Sequence, residues 1–174
     1  MTITYLDAIS RRYPAVKVSC QGFGNTYSNL IWESGDPLPS QSVLDAAILD
    51  CIKEDKWLQI KEERDKRKAA GVRIPITTDS GTVYKWFHSD DTSRIQQIGL
   101  LMMGQNLPAN LQWKTMDNSY VTMTPALAIQ IFQAVSYYDI TNFGVAEQHR
   151  VAMLSSNDPA NYDYSSGWLP MYGE

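Results

Sequence analysis

With 174 residues, 44% of them hydrophobic and 20% charged, the chain can bury one ordinary core or a small core joined to a larger one, and wholesale disorder is excluded. A formal net charge of −4 argues against a phosphate-binding surface as its main purpose, because nucleic-acid binders carry the basic excess that displaces condensed counterions. Met1 to Leu6 lack a basic segment followed by an apolar core, and no apolar run approaches the roughly 20 residues of a membrane helix, so a cytoplasmically made, soluble protein without membrane insertion is expected.

In the first segment, Leu6, Ile9 and Tyr13 fall at helical spacing and Pro14 ends the pattern. Val16, Val18 and Cys20 alternate with polar residues as in a half-buried strand, Gly22, Gly24 and Asn25 suit a turn, and Tyr27 to Trp32 reads as the returning strand. Gly35-Asp36-Pro37-Leu38-Pro39 is a rigid stop. Residues 1–39 are thus predicted to form a helix–hairpin unit.

A long helix is predicted over 40–70. Ser40 or Ser42 can cap it, neither Gly nor Pro interrupts it, and Gly71 supplies the stop. Its first half carries Val43, Leu44, Ala47, Ile48, Cys51 and Ile52 as an apolar stripe, whereas its second half is charged from Lys61 to Lys68 after Trp57, Leu58 and Ile60. Glu62 with Lys66 and Glu63 with Arg67 are favourably oriented i,i+4 pairs, each contributing on the order of 0.2–0.5 kcal/mol. A helix with so little to bury in that half bridges two bodies or packs on a partner.

Residues 71–174 read as a C-terminal α+β domain. Val72, Ile74 and Ile76 alternate, Thr78 to Gly81 turns, and Val83, Lys85 and Phe87 alternate again; Pro75 places its strand at an edge. Asp90, Asp91 or Thr92 is the expected cap of a helix with Ile95, Ile98, Leu101 and Met102 on one face. A second hairpin joins Trp113–Thr115 to Tyr120–Met123, and Thr124-Pro125 starts a helix whose stripe runs through Leu127, Ile131, Val135 and Tyr138, then Val145, His149 and Ala152. Thr141 and Gly144 predict a kink or break in it. Pro159 to Glu174, rich in turn formers and aromatics, is expected to drape over a surface. The fold class expected is α+β: a helix–hairpin unit, a long connecting helix, and a hairpin–helix–hairpin–helix domain with an extended aromatic tail.

No constellation supplies catalytic, cofactor or metal chemistry, and a non-enzyme is expected. His88 with Asp90 and Asp91 lies where a helix cap is expected, and His149 has no second ligand at metal spacing. Gly22-Phe23-Gly24 lacks the third glycine and the helix of a dinucleotide loop. Cys20 and Cys51 lack cysteine or histidine partners at ligand spacing and suit buried positions, with a disulfide left open. Five tryptophans and ten tyrosines are a generous supply. They either complete the core or anchor partners; on the second reading the binding residues are Trp57, Leu58, Tyr162, Tyr164, Trp168, Leu169 and Tyr172.

The stretch Glu63-Arg64-Asp65-Lys66-Arg67, then Gly71-Val72 and a hairpin, then Asp91-Thr92-Ser93-Arg94-Ile95, resembles an uncharacterised domain family of tailed-phage and prophage tail gene clusters. Trp113, Thr124-Pro125 and Gly167-Trp168-Leu169-Pro170 follow in the family's order, with a tight Ser93-Arg94 spacing and an inserted Leu169 as departures. Tyr13-Pro14, Ile31-Trp32 and Pro37-Leu38-Pro39-Ser40 separately resemble small proteins of phage tail operons. The resemblance implies a non-catalytic structural component of the virion tail, at the baseplate or a tail fibre. It would bind other tail proteins, as a homo-oligomer or in multiple copies. Alternatives are a tail-fibre assembly chaperone absent from the mature virion and a glycan-binding or glycan-cleaving tail protein.

Overall fold

Thr4 starts the first helix through a reciprocal cap. Its hydroxyl accepts from the Asp7 amide, and the Asp7 carboxylate accepts from the Thr4 amide at 2.9 Å. The Thr4 hydroxyl also donates to that carboxylate, and this bond first, then the one from the Thr4 amide, holds the Asp7 carboxyl below its ordinary range. The computed structural model describes residues 2–21, 26–35, 37–78 and 80–174. The expected turn residues Gly22, Phe23, Gly24 and Asn25, with Asp36 and Asp79, lie outside the described residues.

In chain order the elements are α1 (Tyr5–Arg12), β1 (Val18–Cys20), β2 (Leu30–Trp32), α2 (Gln41–Ala69), β3 (Val72–Thr78), β4 (Gly81–Phe87), α3 (Asp91–Met103), β5 (Gln112–Lys114), β6 (Tyr120–Thr122) and α4 (Pro125–Leu154). Among the described residues the strands form three antiparallel pairs, β1 with β2, β3 with β4 and β5 with β6. The protein is α+β. Two compact units divide it, Met1–Gln59 with Val151–Tyr162, and Ile60–Arg150 with Asp163–Glu174, so the division falls inside both long helices rather than at their ends.

In the first unit, Ile3 and Ala8 pack with Cys51, and Ala47, Ile48 and Ile52 flank them, so the apolar stripe of α2 covers α1. Arg11 grips Asp55 with two guanidinium nitrogens at 2.6 and 3.0 Å, and Arg12 reaches Glu54 at 2.7 Å. These ion pairs are half exposed and screened by solvent, so packing dominates. Neither Cys20 nor Cys51 is joined in a disulfide; Cys51 is fully buried and Cys20 half-buried. The returning strand is shorter than expected. Tyr27–Asn29 form a 3-10 turn, closed by the Asn29 amide donating to Thr26 carbonyl at 3.0 Å, because a run of small polar residues bonds its own backbone locally.

In the second unit, Val72, Ile74 and Phe87 of the β3–β4 hairpin pack with Leu100 of α3, Met123, and Leu127, Ala128, Ile131 and Val135 of α4. Each such side chain contributes on the order of 1.5–3 kcal/mol when fully buried. Trp113 and Tyr138 pack against this core, so those two aromatics are structural. Val72 pairs with Phe87, Ile74 with Lys85 and Ile76 with Val83, which puts the alternating apolar residues on one face. Thr124 caps α4, its hydroxyl accepting from the Leu127 amide at 3.1 Å, with Pro125 at the first helical position.

Two expectations are corrected here. α4 runs unbroken through Thr141 and Gly144; the roughly 1 kcal/mol cost of a helical glycine is offset by apolar burial along the helix, the nearby Ala146 being fully buried. α3 is rotated from the expected face. Gln97 and Leu100 are buried, whereas Ile95, Ile98 and Met102 are 71%, 46% and 84% exposed. Polar contacts decide that rotation, as the site shows. Among the described residues no helix is long and apolar enough to cross a membrane.

Candidate functional site

The last turn of α2 leaves backbone carbonyls that no helical amide can meet. Ser89, fully buried, meets one: its hydroxyl donates to the Lys68 carbonyl at 2.7 Å and accepts from the Gly71 amide at 2.9 Å. Arg94 adds a second donor to the same carbonyl at 3.0 Å, donates to the Ser89 carbonyl at 2.5 Å, and grips Asp139 of α4 through two bonds of 2.5 and 2.9 Å. Gln97, one turn further along α3, donates to the His88 carbonyl at 2.7 Å. Arg94, Gln97 and Leu100 therefore take the inward positions of α3, and Ile95, Ile98 and Met102 are turned outward. Asp90 caps α3 by accepting from both the hydroxyl and the amide of Ser93, at 2.6 and 3.0 Å. These bonds, the hydroxyl's first, hold the Asp90 carboxyl below its usual range. Of the His88-Ser89-Asp90-Asp91 run, the imidazole is exposed, Ser89 and Asp90 support helix ends, and Asp91 lies 3.6 Å from Lys68.

Gly71 must be glycine. Its φ is +97°, which L side chains rarely adopt, and a Cβ there would displace the end of the Met116 side chain and press, at 3.3 Å, on the Phe87 carbonyl. Met116 is held by its amide bonding to the Trp86 carbonyl at 2.9 Å. Beside it, Lys85 reaches Asp117 and Ser119, both at 2.7 Å, while Thr115 and Ser119 hydroxyls also donate to the Asp117 carboxylate. The Lys85 ammonium first, then the two hydroxyls, hold the Asp117 carboxyl far below the ordinary carboxylate range.

The aromatic tail docks on its own unit. Arg67, whose side chain is 11% exposed, is held by Glu63 at 2.6 Å and donates to the Leu169 carbonyl at 2.8 Å. Its guanidinium lies 5.7 Å from the centre of the Trp168 ring, which packs at 5.4 Å from His149. Trp168 donates to the Tyr164 carbonyl at 2.7 Å, the Leu169 amide to Asn142 at 3.2 Å, and the Tyr172 amide to the Ala70 carbonyl at 3.2 Å. His149 Nε2, facing the Ser166 carbonyl at 2.8 Å, is the donor, which fixes its tautomer. Lys66 pairs with Glu63 at 3.5 Å instead of the expected Glu62, so Glu63 serves two cations. Asn142 is buried with its amide nitrogen unpaired, and it lines a cleft of about 220 Å³ with Arg64, Asp65, Lys68, Asp139 and Phe143.

Of the residues expected to bind partners, Tyr164, Trp168, Leu169 and Tyr172 are thus gathered into one intramolecular strap, with Tyr172 edge-on to Trp86 at 5.9 Å. Trp57, Leu58 and Tyr162 belong to the other unit, Leu58 half exposed and the two aromatics partly buried. What the count of tryptophans and tyrosines missed is a face of isoleucine and phenylalanine. On α4, Ile129, Phe132, Ile140 and Phe143 are 50%, 43%, 74% and 54% exposed. A signal for this existed: from Pro125 to Ala146 the chain holds one charged residue, Asp139. A helix that is apolar all round is covered on all sides, by its own core or by another molecule. Among the described residues no group of three or more His, Cys, Asp or Glu side chains could hold a metal ion.

The fold and these contacts define a small α+β protein whose second unit is closed by buried polar brackets at helix ends and leaves an uncharged helix face open. Residues 51–166 match the family described as a domain of unknown function (DUF4376), and the chain belongs to that family. The match ends just before Gly167, so Trp168 and Leu169 lie outside it although they dock on matched residues. No curated protein and no solved structure matches the chain.

Proposed function

We propose that this chain is a non-enzymatic structural component of a phage or prophage tail, at the baseplate or a tail fibre, working by protein–protein binding. The observation that carries the binding role is the open apolar face of α4, where Ile129, Phe132, Ile140 and Phe143 are all exposed; Ile95, Ile98 and Met102 of α3 are exposed as well. Contiguous apolar surface beyond a few hundred Å² is uncommon on monomers and marks sites that another molecule covers. The tail assignment rests on the motif resemblance: of the residues that carry it, Arg67, Gly71, Ser93, Arg94, Trp113 and Trp168 lie in the second unit, and Tyr13-Pro14, Ile31-Trp32 and Pro37-Leu38-Pro39-Ser40 in the first. Arg67, Gly71, Arg94 and Trp168 fix the α2 end and the strap, so these motif residues maintain the scaffold and the apolar face of α4 is left to bind.

Mass spectrometry of purified particles from a lysogen expressing the chain tests this. A tail component is found at a fixed ratio to the major tail proteins. Recovery only with unassembled fibres would replace this reading with the assembly chaperone, and absence from both would end it.

A further inference from the structure

Four large exposed apolar residues of α4 are placed symmetrically about the half-buried Ser136. Counted from Ser136, Ile129 and Phe143 stand seven residues away on either side, and Phe132 and Ile140 four away. At about 100° per residue, all five lie within about 40° of one line along the helix. Aliphatic and aromatic positions are exchanged between the two halves, and the smallest side chain sits at the centre. From these observations we infer that this face is the interface of a two-fold symmetric dimer, in which the α4 helices of two copies pack antiparallel and cross at Ser136.

In that arrangement Ile129 of one copy meets Phe143 of the other, Phe132 meets Ile140, and each layer holds one aliphatic and one aromatic side chain. A symmetric interface requires such self-complementarity, because contact of residue i with j entails contact of j with i. The small Ser136 lets the helices approach at the crossing. Charge selects a second copy over a complementary partner: the only charge between Pro125 and Ala146 is Asp139, already gripped by Arg94. No like charges are therefore brought face to face. With the 60% exposed Tyr137 at the flank, the pair removes on the order of 1,000 Å² from water, the size at which a specific interface becomes stable. This inference names a second copy of the chain as the occupant of the face that carries the proposed binding role; the tail assignment itself rests on the motif resemblance and is tested separately on purified particles.

The purified chain is examined by light scattering coupled to size exclusion, then by disulfide trapping. The wild type is expected at about 39 kDa, twice the 19.7 kDa of one chain. Ile140→Glu, and separately Phe143→Glu, should halve that mass with unchanged far-UV circular dichroism, both sites being exposed. With Cys20→Ser and Cys51→Ala as background, Ser136→Cys should link to itself under mild oxidation. Ile129→Cys alone should not, but should link in trans to Phe143→Cys. A wild-type monomer at 100 μM, a dimer indifferent to both glutamates, or self-linking by Ile129→Cys, which marks a parallel pair, would each overturn the inference.

Discussion

Replacing Arg94 by alanine is the sharpest test of how the second unit is held together. Its side chain is 16% exposed and makes four hydrogen bonds: two to Asp139, whose side chain is 32% exposed, and one each to the Ser89 and Lys68 carbonyls. Breaking a fully buried pair by removing one partner costs about 3–5 kcal/mol, and solvent at Asp139 reduces that. Lys68 keeps its bond from Ser89, so only the Ser89 carbonyl and the Asp139 carboxylate are stranded. The expected loss is therefore about 2–4 kcal/mol, or roughly 4–16 °C in Tm at about 2–4 °C per kcal/mol for a chain of this size. Urea denaturation and calorimetry measure it. Arg94→Ala, Asp139→Ala and the double variant form a cycle whose coupling should reach about 1–2 kcal/mol, because the second substitution removes the stranded carboxylate. Arg94→Lys should recover only part of the loss, since one ammonium cannot span α2, the α3 entry and α4. A loss under about 0.5 kcal/mol with additive single variants, the behaviour of a surface pair, would refute the bracket.

Gly71→Ala should cost about 2–4 kcal/mol in denaturant titrations, from the positive φ and the collision with Met116 together; adding Met116→Ala should restore only the steric part. Asp117 gives a pH signature. Its folded-state pKa is depressed, so its contribution is complete above the unfolded value of about 4 and fades as pH falls below it. Between about pH 5 and 2, wild-type stability should therefore fall more steeply than that of Asp117→Asn in matched denaturation curves, and parallel curves would show that the Lys85 contact is idle.

Legibility followed period and punctuation. α2 and α4 were readable because Gly71 and Thr124-Pro125 mark their ends, and the β3–β4 hairpin because Val72, Ile74 and Ile76 alternate. α3 was readable as an element but not in its rotation. Apolar spacing nominated Ile95, Ile98 and Met102, whereas Arg94 and Gln97 claimed the inner face to satisfy carbonyls that exist only once α2 and β4 have ended. No count of hydrophobic residues registers that demand. The aromatic strap shows the same limit: Trp168 and Tyr172 read as anchors for other molecules, and the residue that engages Trp168 and Leu169, Arg67, lies a hundred positions upstream in a helix that reads as a solvated charge run. The face of α4 was the reverse case. Its lack of charge was plain in the sequence, but the core-facing stripe at Leu127, Ile131 and Val135 accounted for the helix and drew attention from Ile140 and Phe143.

The bond from Arg67 to the Leu169 carbonyl spans 102 positions of chain. On the ribosome, then, α2 emerges with a guanidinium whose acceptor has not yet been translated, and the interval is filled by hairpins and by a helix almost devoid of charge. At about 5–20 residues per second, several seconds pass before the strap can close over that arginine. In the last part of that window, once α4 (Pro125–Leu154) has been made, the nascent chain displays its stickiest helix without the finished scaffold, so two neighbouring ribosomes on one message could bring two such helices together.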